Sequence, residues 1–332
     1  MNISKLPTTG LVFGWLMNAD GTGEEVAPDE IPLLELNATQ SIWLHLNYAN
    51  TQVQSWLKSS NQLPEDIVEI LQEDVARVRQ KTFSRVEGAH LIFFNDFLKE
   101  FNKKHSDEIV TLWLIRVGQV LITLRPHPVQ SIDIFRKLLT TGRLKPKSIG
   151  DIYSCMLDIR EDTLHAQANS LMNRMDQLEE VIIRGETLPE HETLGRIRIQ
   201  CNRMRRYFSP ELTALNHLIR NKPNWLGDES YQEVVEFSEK LSVLVQELDH
   251  LYERAKVLQD EQSAHIAQFN ANNLQVLSIM TVVFLPMTLI SGIMGMNMED
   301  LPGLKGSFYE VMLLMIGAGI STFAYLKLKK II

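Results

Sequence analysis

The stretch from Leu274 to Asn297, LQVLSIMTVVFLPMTLISGIMGMN, constrains this chain more than any other. It carries no ionisable side chain, and the nearest one upstream is His265. Residues 274–294 form a first predicted span, which at about 1.5 Å per residue can cross a hydrocarbon core of roughly 30 Å. A second apolar run, Val311 to Leu326, predicts a second span over about 311–328. Two spans joined by the polar connection 295–310 make a membrane hairpin with both termini on one side. Lys327, Lys329 and Lys330 follow the second span, whereas the connection sets Lys305 against Glu299, Asp300 and Glu310. The positive-inside rule then puts both termini in the cytoplasm and the connection outside.

The first span has three unusual features. Pro286 sits in mid-span, where it removes one helix hydrogen bond and predicts a kink. At about 100° per residue Asn270, Thr281 and Thr288 fall close to one line, and Leu274, Leu277, Leu285 and Gly292 share that face. The span then ends in Gly295-Met296-Asn297, followed by Glu299-Asp300 and Leu301-Pro302-Gly303.

A chain of 332 residues with 45% hydrophobic content can bury a large core and has room for two or three domains. Its net charge of −8 argues against a nucleic-acid binder, which needs a basic face. Cys155 and Cys201 lie far apart with no C-x-x-C spacing, so they give neither a disulfide framework nor a zinc knuckle. No signal peptide is recognisable before the short apolar run Leu11–Met17, which predicts a cytoplasmic location for the residues preceding the hairpin.

Residues 1–147 read as a cytoplasmic α/β domain. Leu11–Leu16, Ser41–Leu46, His90–Phe97, Ile109–Val117 and Gln119–Leu124 have strand composition, while Thr51–Leu57, Pro64–Leu71 and Ile132–Leu139 read as helices, giving one mixed sheet. Residues 148–273 read as a helical stalk. One long helix covers Ile149–Ile183, and a second runs from about Glu190 to Ile219 with a bend at Pro210. A third begins at Asp228-Glu229-Ser230 and has no stop signal before the membrane. In that third helix Phe237, Leu241, Leu244, Leu248, Leu251, Ala255 and Leu258 alternate spacings of four and three, a heptad seam. An antiparallel bundle within one chain accounts for the seam; its continuation into the striped span favours a symmetric stalk. Residues 274–332 complete the chain as a transmembrane pore domain.

A proline-containing span, Gly-Met-Asn at its outer end, a second span and a basic C-terminus together resemble the CorA family of divalent-cation transporters. Trp43-Leu44-His45-Leu46-Asn47, Leu63-Pro64, Arg203-Met204-Arg205-Arg206-Tyr207 and the Pro223/Trp225 break are similar to its zinc-transport (ZntB) branch. Met296 instead matches the magnesium/cobalt branch. The resemblance implies an α+β membrane protein of the inner (plasma) membrane, a funnel-shaped homopentamer in contact with lipid. It further implies a pore lined by the first span, with the Gly295-Met296-Asn297 selectivity loop at the outer mouth. The transported ion is then Zn²⁺, with Mg²⁺/Co²⁺ (or Ni²⁺) as the rival, and no tightly bound cofactor is expected.

Several residues have two readings. The stripe can pack helices or line a pathway, and its direct continuation from the stalk favours lining. Glu299 and Asp300 are either a solvated loop or an acidic ring that concentrates cations. Asp260, Glu261 and His265 are the candidates for a cytoplasmic metal contact. The histidines show no metal-ligand spacing, and no nucleophile motif, P-loop or dinucleotide fingerprint is present, which disfavours an enzyme. A membrane-anchored scaffold or sensor is the rival of another class.

Overall fold

The computed structural model describes residues 6–59, 63, 65–72, 85–86, 89–99, 108–183, 191–295 and 308–329. It divides into two compact units, 1–258 and 259–332.

The first unit holds a seven-stranded sheet in the order β2-β1-β3-β7-β6-β5-β4. Its strands are β1 (Leu11–Asn18), β2 (Gly23–Val26), β3 (Gln40–Asn47), β4 (Arg85–Val86), β5 (Ala89–Phe97), β6 (Ile109–Val117) and β7 (Val120–Arg125). Only β3 and β7 pair in parallel, so the sheet is mixed. Strands β5, β6 and β7 are buried along most of their length and β3 through its centre, as their runs of Trp, Phe, Ile, Leu and Val require. The edge strand β2, Gly-Glu-Glu-Val, was not legible as a strand, because three of its residues are exposed and it has no apolar alternation. The two-residue β4 is too short to carry a pattern.

Helices α1 (Thr51–Ser59), α2 (Glu65–Gln72) and α3 (Gln130–Thr140) accompany the sheet. Trp56, Leu57, Ile67 and Ile70 join Leu44, Leu46, Trp113 and Ile122 in one core. A second and larger core holds Trp43, Phe94, Leu112 and Phe135 together with α4 (Ile149–Ile183), α5 (His191–Asn221) and the start of α6 (Asp228–Met294). Deep in the sheet, Thr123 Oγ1 accepts from Trp43 Nε1 at 2.9 Å and lies 2.6 Å from His45 Nδ1. Burial, then Arg125 and Arg136, hold the His45 imidazole well below its ordinary value, so it is a neutral core residue.

The long helices fall where their patterns predict. Helix α5 runs through Pro210 and α6 through Pro286 without a break. The break expected at Gly185–Pro189 lies outside the described residues. The heptad seam is a correction. Phe237, Leu241, Leu244, Leu248, Leu251 and Ala255 are each at most 3% exposed, and Leu258 packs on the same core. Their partners are Tyr153, Leu157, Leu164, Ile197, Met204 and Phe208 of α4 and α5 in the same chain. A seam already filled by its own chain is not available to symmetric copies.

Both cysteine thiols are pushed up to about 11. Burial is the main cause, joined at Cys155 by the carboxylates of Glu233, Asp151 and Asp158. A rise of that size leaves roughly 100-fold less thiolate at neutral pH than an ordinary cysteine holds. A chromogenic disulfide reagent is therefore expected to label neither residue in the native protein within minutes, and both after denaturation. Fast labelling of the native chain would contradict the packing around them.

Candidate functional site

The second unit contains the rest of α6 and α7 (Phe308–Leu328). Both are long and apolar enough to cross a membrane. Little of this surface is covered by the chain itself. Phe269, Val276, Phe284 and Leu289 on α6 are 53–65% exposed, and Leu313 and Ile320 on α7 are 71% and 65% exposed. Apolar side chains around both helices need lipid or other chains to cover them.

One face of α6 is partly covered. Ile279, Val283, Pro286, Met287, Ile290 and Met294 are half-buried, spaced as one helical face. On α7 the covered positions are Val311, Met315, Ala318, Gly319, Thr322 and Leu326. The two sets meet at Gly319, where an added Cβ would stand 1.7 Å from Met287 Cε. A small residue at the crossing is what close helix packing in a membrane requires.

Asn270, Leu274, Leu277, Thr281, Leu285, Thr288 and Gly292 are all exposed. At about 100° per residue, they centre roughly 160° around α6 from the face that meets α7. The hairpin partner thus packs behind the stripe and leaves it open. Within the stripe, Thr281 Oγ1 donates to the Leu277 carbonyl and Thr288 Oγ1 to the Phe284 carbonyl, each at 2.9 Å. With the hydroxyl protons committed to the helix's own backbone, each oxygen presents only acceptor lone pairs outward. Acceptors are what a cation, or the waters around it, can use.

The open line is longer than the polar residues reveal. Ala264, Ala267, Ala271, Leu274, Ser278, Thr281, Leu285, Thr288 and Gly292 are exposed and alternate spacings of three and four. Sequence reading missed the alanines and Ser278 because a small residue carries no polar flag; the 3.5-residue repeat was the available signal. In the first unit, Val243, Gln246, His250, Glu253 and Val257 form an exposed line with the same alternation.

The cytoplasmic metal candidates do not converge. Asp260, Glu261 and His265 are exposed; Glu261 and His265, four residues apart, share one face, and Asp260 lies about 100° around the helix from Glu261. Among the described residues no three His, Cys, Asp or Glu side chains come together to hold a metal ion. Gly295 closes α6 with its N–H donating to the Ser291 carbonyl at 2.8 Å. Met296, Asn297, Glu299 and Asp300 lie outside the described residues.

Fold and site define a chain with two candidate membrane spans, the first of which carries an uncovered line of small, hydroxyl and leucine side chains. The chain belongs to the family described as CorA-like Mg2+ transporter protein, whose profile matches residues 38–330. Among curated proteins it is similar to the divalent cation transporter CmaX of Pseudomonas aeruginosa, 26% identical over 321 residues, 95% of this chain and 94% of that one. It is also similar to the zinc transport protein ZntB of Yersinia enterocolitica, 25% identical over 325 residues and 95% of each chain. In fold it matches full-length CmaX with a TM-score of 0.79 at 24% identity, covering 96% of this chain and 97% of that one. The CorA magnesium transporter of Methanocaldococcus jannaschii gives 0.74 at 16% identity, covering 95% of this chain and 98% of that one.

Proposed function

We propose that this protein is a homopentameric Zn²⁺ transporter of the cytoplasmic membrane, with the first span of each copy lining the pore. The observation that carries the reading is the open line on α6, which lies opposite the face that meets α7. Five copies around an axis would turn these lines inward and leave α7 facing lipid. Thr281 and Thr288 would then offer acceptor oxygens to a hydrated ion, while Leu274, Leu277 and Leu285 would form apolar constrictions that gate by dewetting. Gly292 would leave width near the mouth.

Asn297 amides, in the Gly295-Met296-Asn297 loop, would ring the outer mouth and accept hydrogen bonds from the ion's waters. Glu299 and Asp300 would raise the cation concentration there. With both termini in the cytoplasm, an inside-negative potential favours entry of a divalent ion by about 4.6 kcal/mol per 100 mV, twice the single-charge value.

Zinc is favoured by the likeness to ZntB across nearly the whole chain. Mg²⁺/Co²⁺ is the second reading, supported by Met296 and by a line that offers hydroxyls and apolar groups. Zn²⁺ takes nitrogen and sulfur ligands readily, whereas Mg²⁺ keeps its waters. Selection of zinc would then act on the hydrated ion or at the mouth.

Liposomes loaded with a metal-sensitive dye test the reading. Zn²⁺ entry faster than Mg²⁺ entry, and its loss in Asn297→Ala, is the expected result. Mg²⁺ entry equal to or faster than Zn²⁺ entry would assign the chain to the magnesium reading. Absence of any metal flux, in protein shown to be folded and oligomeric, would leave the scaffold as the better account.

A further inference from the structure

The first unit contains a cavity of about 880 Å³ that the transport reading does not use. Its walls come from α1 with the segment before it, the end of α2, β6, the segment after β7, and α5. Trp113 of β6, only 5% exposed, provides a fixed aromatic surface, with Tyr48 and Tyr207 as further ring-bearing walls. Lys58 and Arg203, both exposed, bring two permanent positive charges to the lining. Among the described residues neither has a carboxylate partner. Glu108 is the one carboxylate in the described lining, so Lys58 and Arg203 leave it net positive. A volume of this size lies within the range of small-molecule sites, and cations beside aromatic walls suit an anion carrying a flat ring.

We infer that this cavity is a binding site for a nucleoside phosphate, with the base against Trp113 and the tyrosines and the phosphates on Lys58 and Arg203. The anchor points are spread over the chain. Lys58 lies in the last turn of α1, Trp113 lies in mid-sheet, and Arg203 and Tyr207 lie one turn apart on α5. Tyr207 also accepts a hydrogen bond at its carbonyl from Asn95 Nδ2 of β5 at 3.0 Å, so a bound ligand would reinforce an existing joint between α5 and the sheet.

The test is calorimetric titration of the full-length protein in detergent with ADP, in the presence of a chelator so that no metal–nucleotide complex contributes. Saturable binding of one ADP per chain is expected, weakened roughly tenfold or more in Lys58→Ala and in Arg203→Ala through loss of a charge-assisted contact. Arg205→Ala is the control, since Arg205 pairs with Asp249 at 2.7 Å and does not line the cavity. Inorganic phosphate, lacking the ring, is expected to bind at least roughly tenfold more weakly than ADP, given the worth of aromatic stacking. No saturable heat with ADP at millimolar concentration would overturn the inference. Equal affinity for phosphate, or ADP binding unchanged in both alanine variants, would overturn it equally.

Discussion

Thr288→Trp and Gly292→Trp are each expected to reduce metal flux by at least ~100-fold while leaving the protein folded and oligomeric. Both positions are exposed on the face of α6 opposite the crossing with α7. An added Cβ at Gly292 meets nothing within 4 Å in its own chain, so the larger side chain does not strain the hairpin. In five copies, five indoles would fill the space around the axis. A pathway narrowed by bulky apolar groups excludes water as well as ions, which is why the effect is expected to be near-complete rather than graded. The matched control is Leu289→Trp, another exposed position on α6 but off the stripe, which should conduct. Unchanged flux in both stripe variants would mean that the line serves helix packing or nothing.

The second large effect concerns stability. Glu211→Ala is expected to destabilise the first unit by ~3–5 kcal/mol, because it strands a buried charge. Arg160 on α4 and Glu211 on α5 are fully buried, with Nη2 and Oε1 2.5 Å apart. The guanidinium lies 5.1 Å from the ring centres of Phe94 and Phe237 and 5.8 Å from that of Phe208. Glu211 Oε2 also accepts from the Asn95 backbone N–H at 2.9 Å and from Asn95 Nδ2 at 3.0 Å. One ion pair therefore ties α4, α5, α6 and β5 together. Burial raises the Glu211 carboxyl, opposed by Arg160 and the Asn95 bonds, so the pair holds a charge that its surroundings disfavour. Thermal unfolding of the full chain in detergent should shift down by ~10 °C in Glu211→Ala. The double variant Arg160→Met/Glu211→Leu should recover part of the loss, since no charge is then stranded, although the buried Asn95 N–H loses its acceptor. A single variant as stable as the parent would show that the pair contributes nothing.

Patterns repeated along one element were legible in the sequence, and partnerships between elements were not. The spans, α4 with its bounds Ile149 and Ile183, and the mixed sheet follow from runs and periods that any window of the chain displays. Arg160 and Glu211 gave no signal, because neither sits in a motif and their meeting depends on how α4 and α5 pack. Asn95 lies in a strand whose nine residues are all buried, where a polar residue looks like an exception until its partners are seen.

The heptad seam shows the limit from the other side. Its period was correct, but a period does not say whether the facing helix belongs to the same chain. Phe237 to Ala255 share a core with α4 and α5, and the exposed face of the helix is marked by Val243, His250 and Val257 instead. The stripe was found through Asn270, Thr281 and Thr288, yet what gives it weight is the position of Met287 and Gly319 on the other side of the helix. The tripeptide Gly295-Met296-Asn297 remained a matter of resemblance, with only Gly295 among the described residues.

Cysteine accessibility along α6 tests the central claim most directly. The native cysteines are expected to be silent, so single cysteines can be placed at 281, 285, 288 and 292 on the stripe and at 283, 287 and 290 on the face toward α7. Each is treated with a charged, water-soluble thiol reagent during metal uptake into liposomes. The account predicts block of flux from the stripe positions and none from the opposite set. Block confined to 283, 287 and 290, or no block anywhere in a conducting protein, would contradict it.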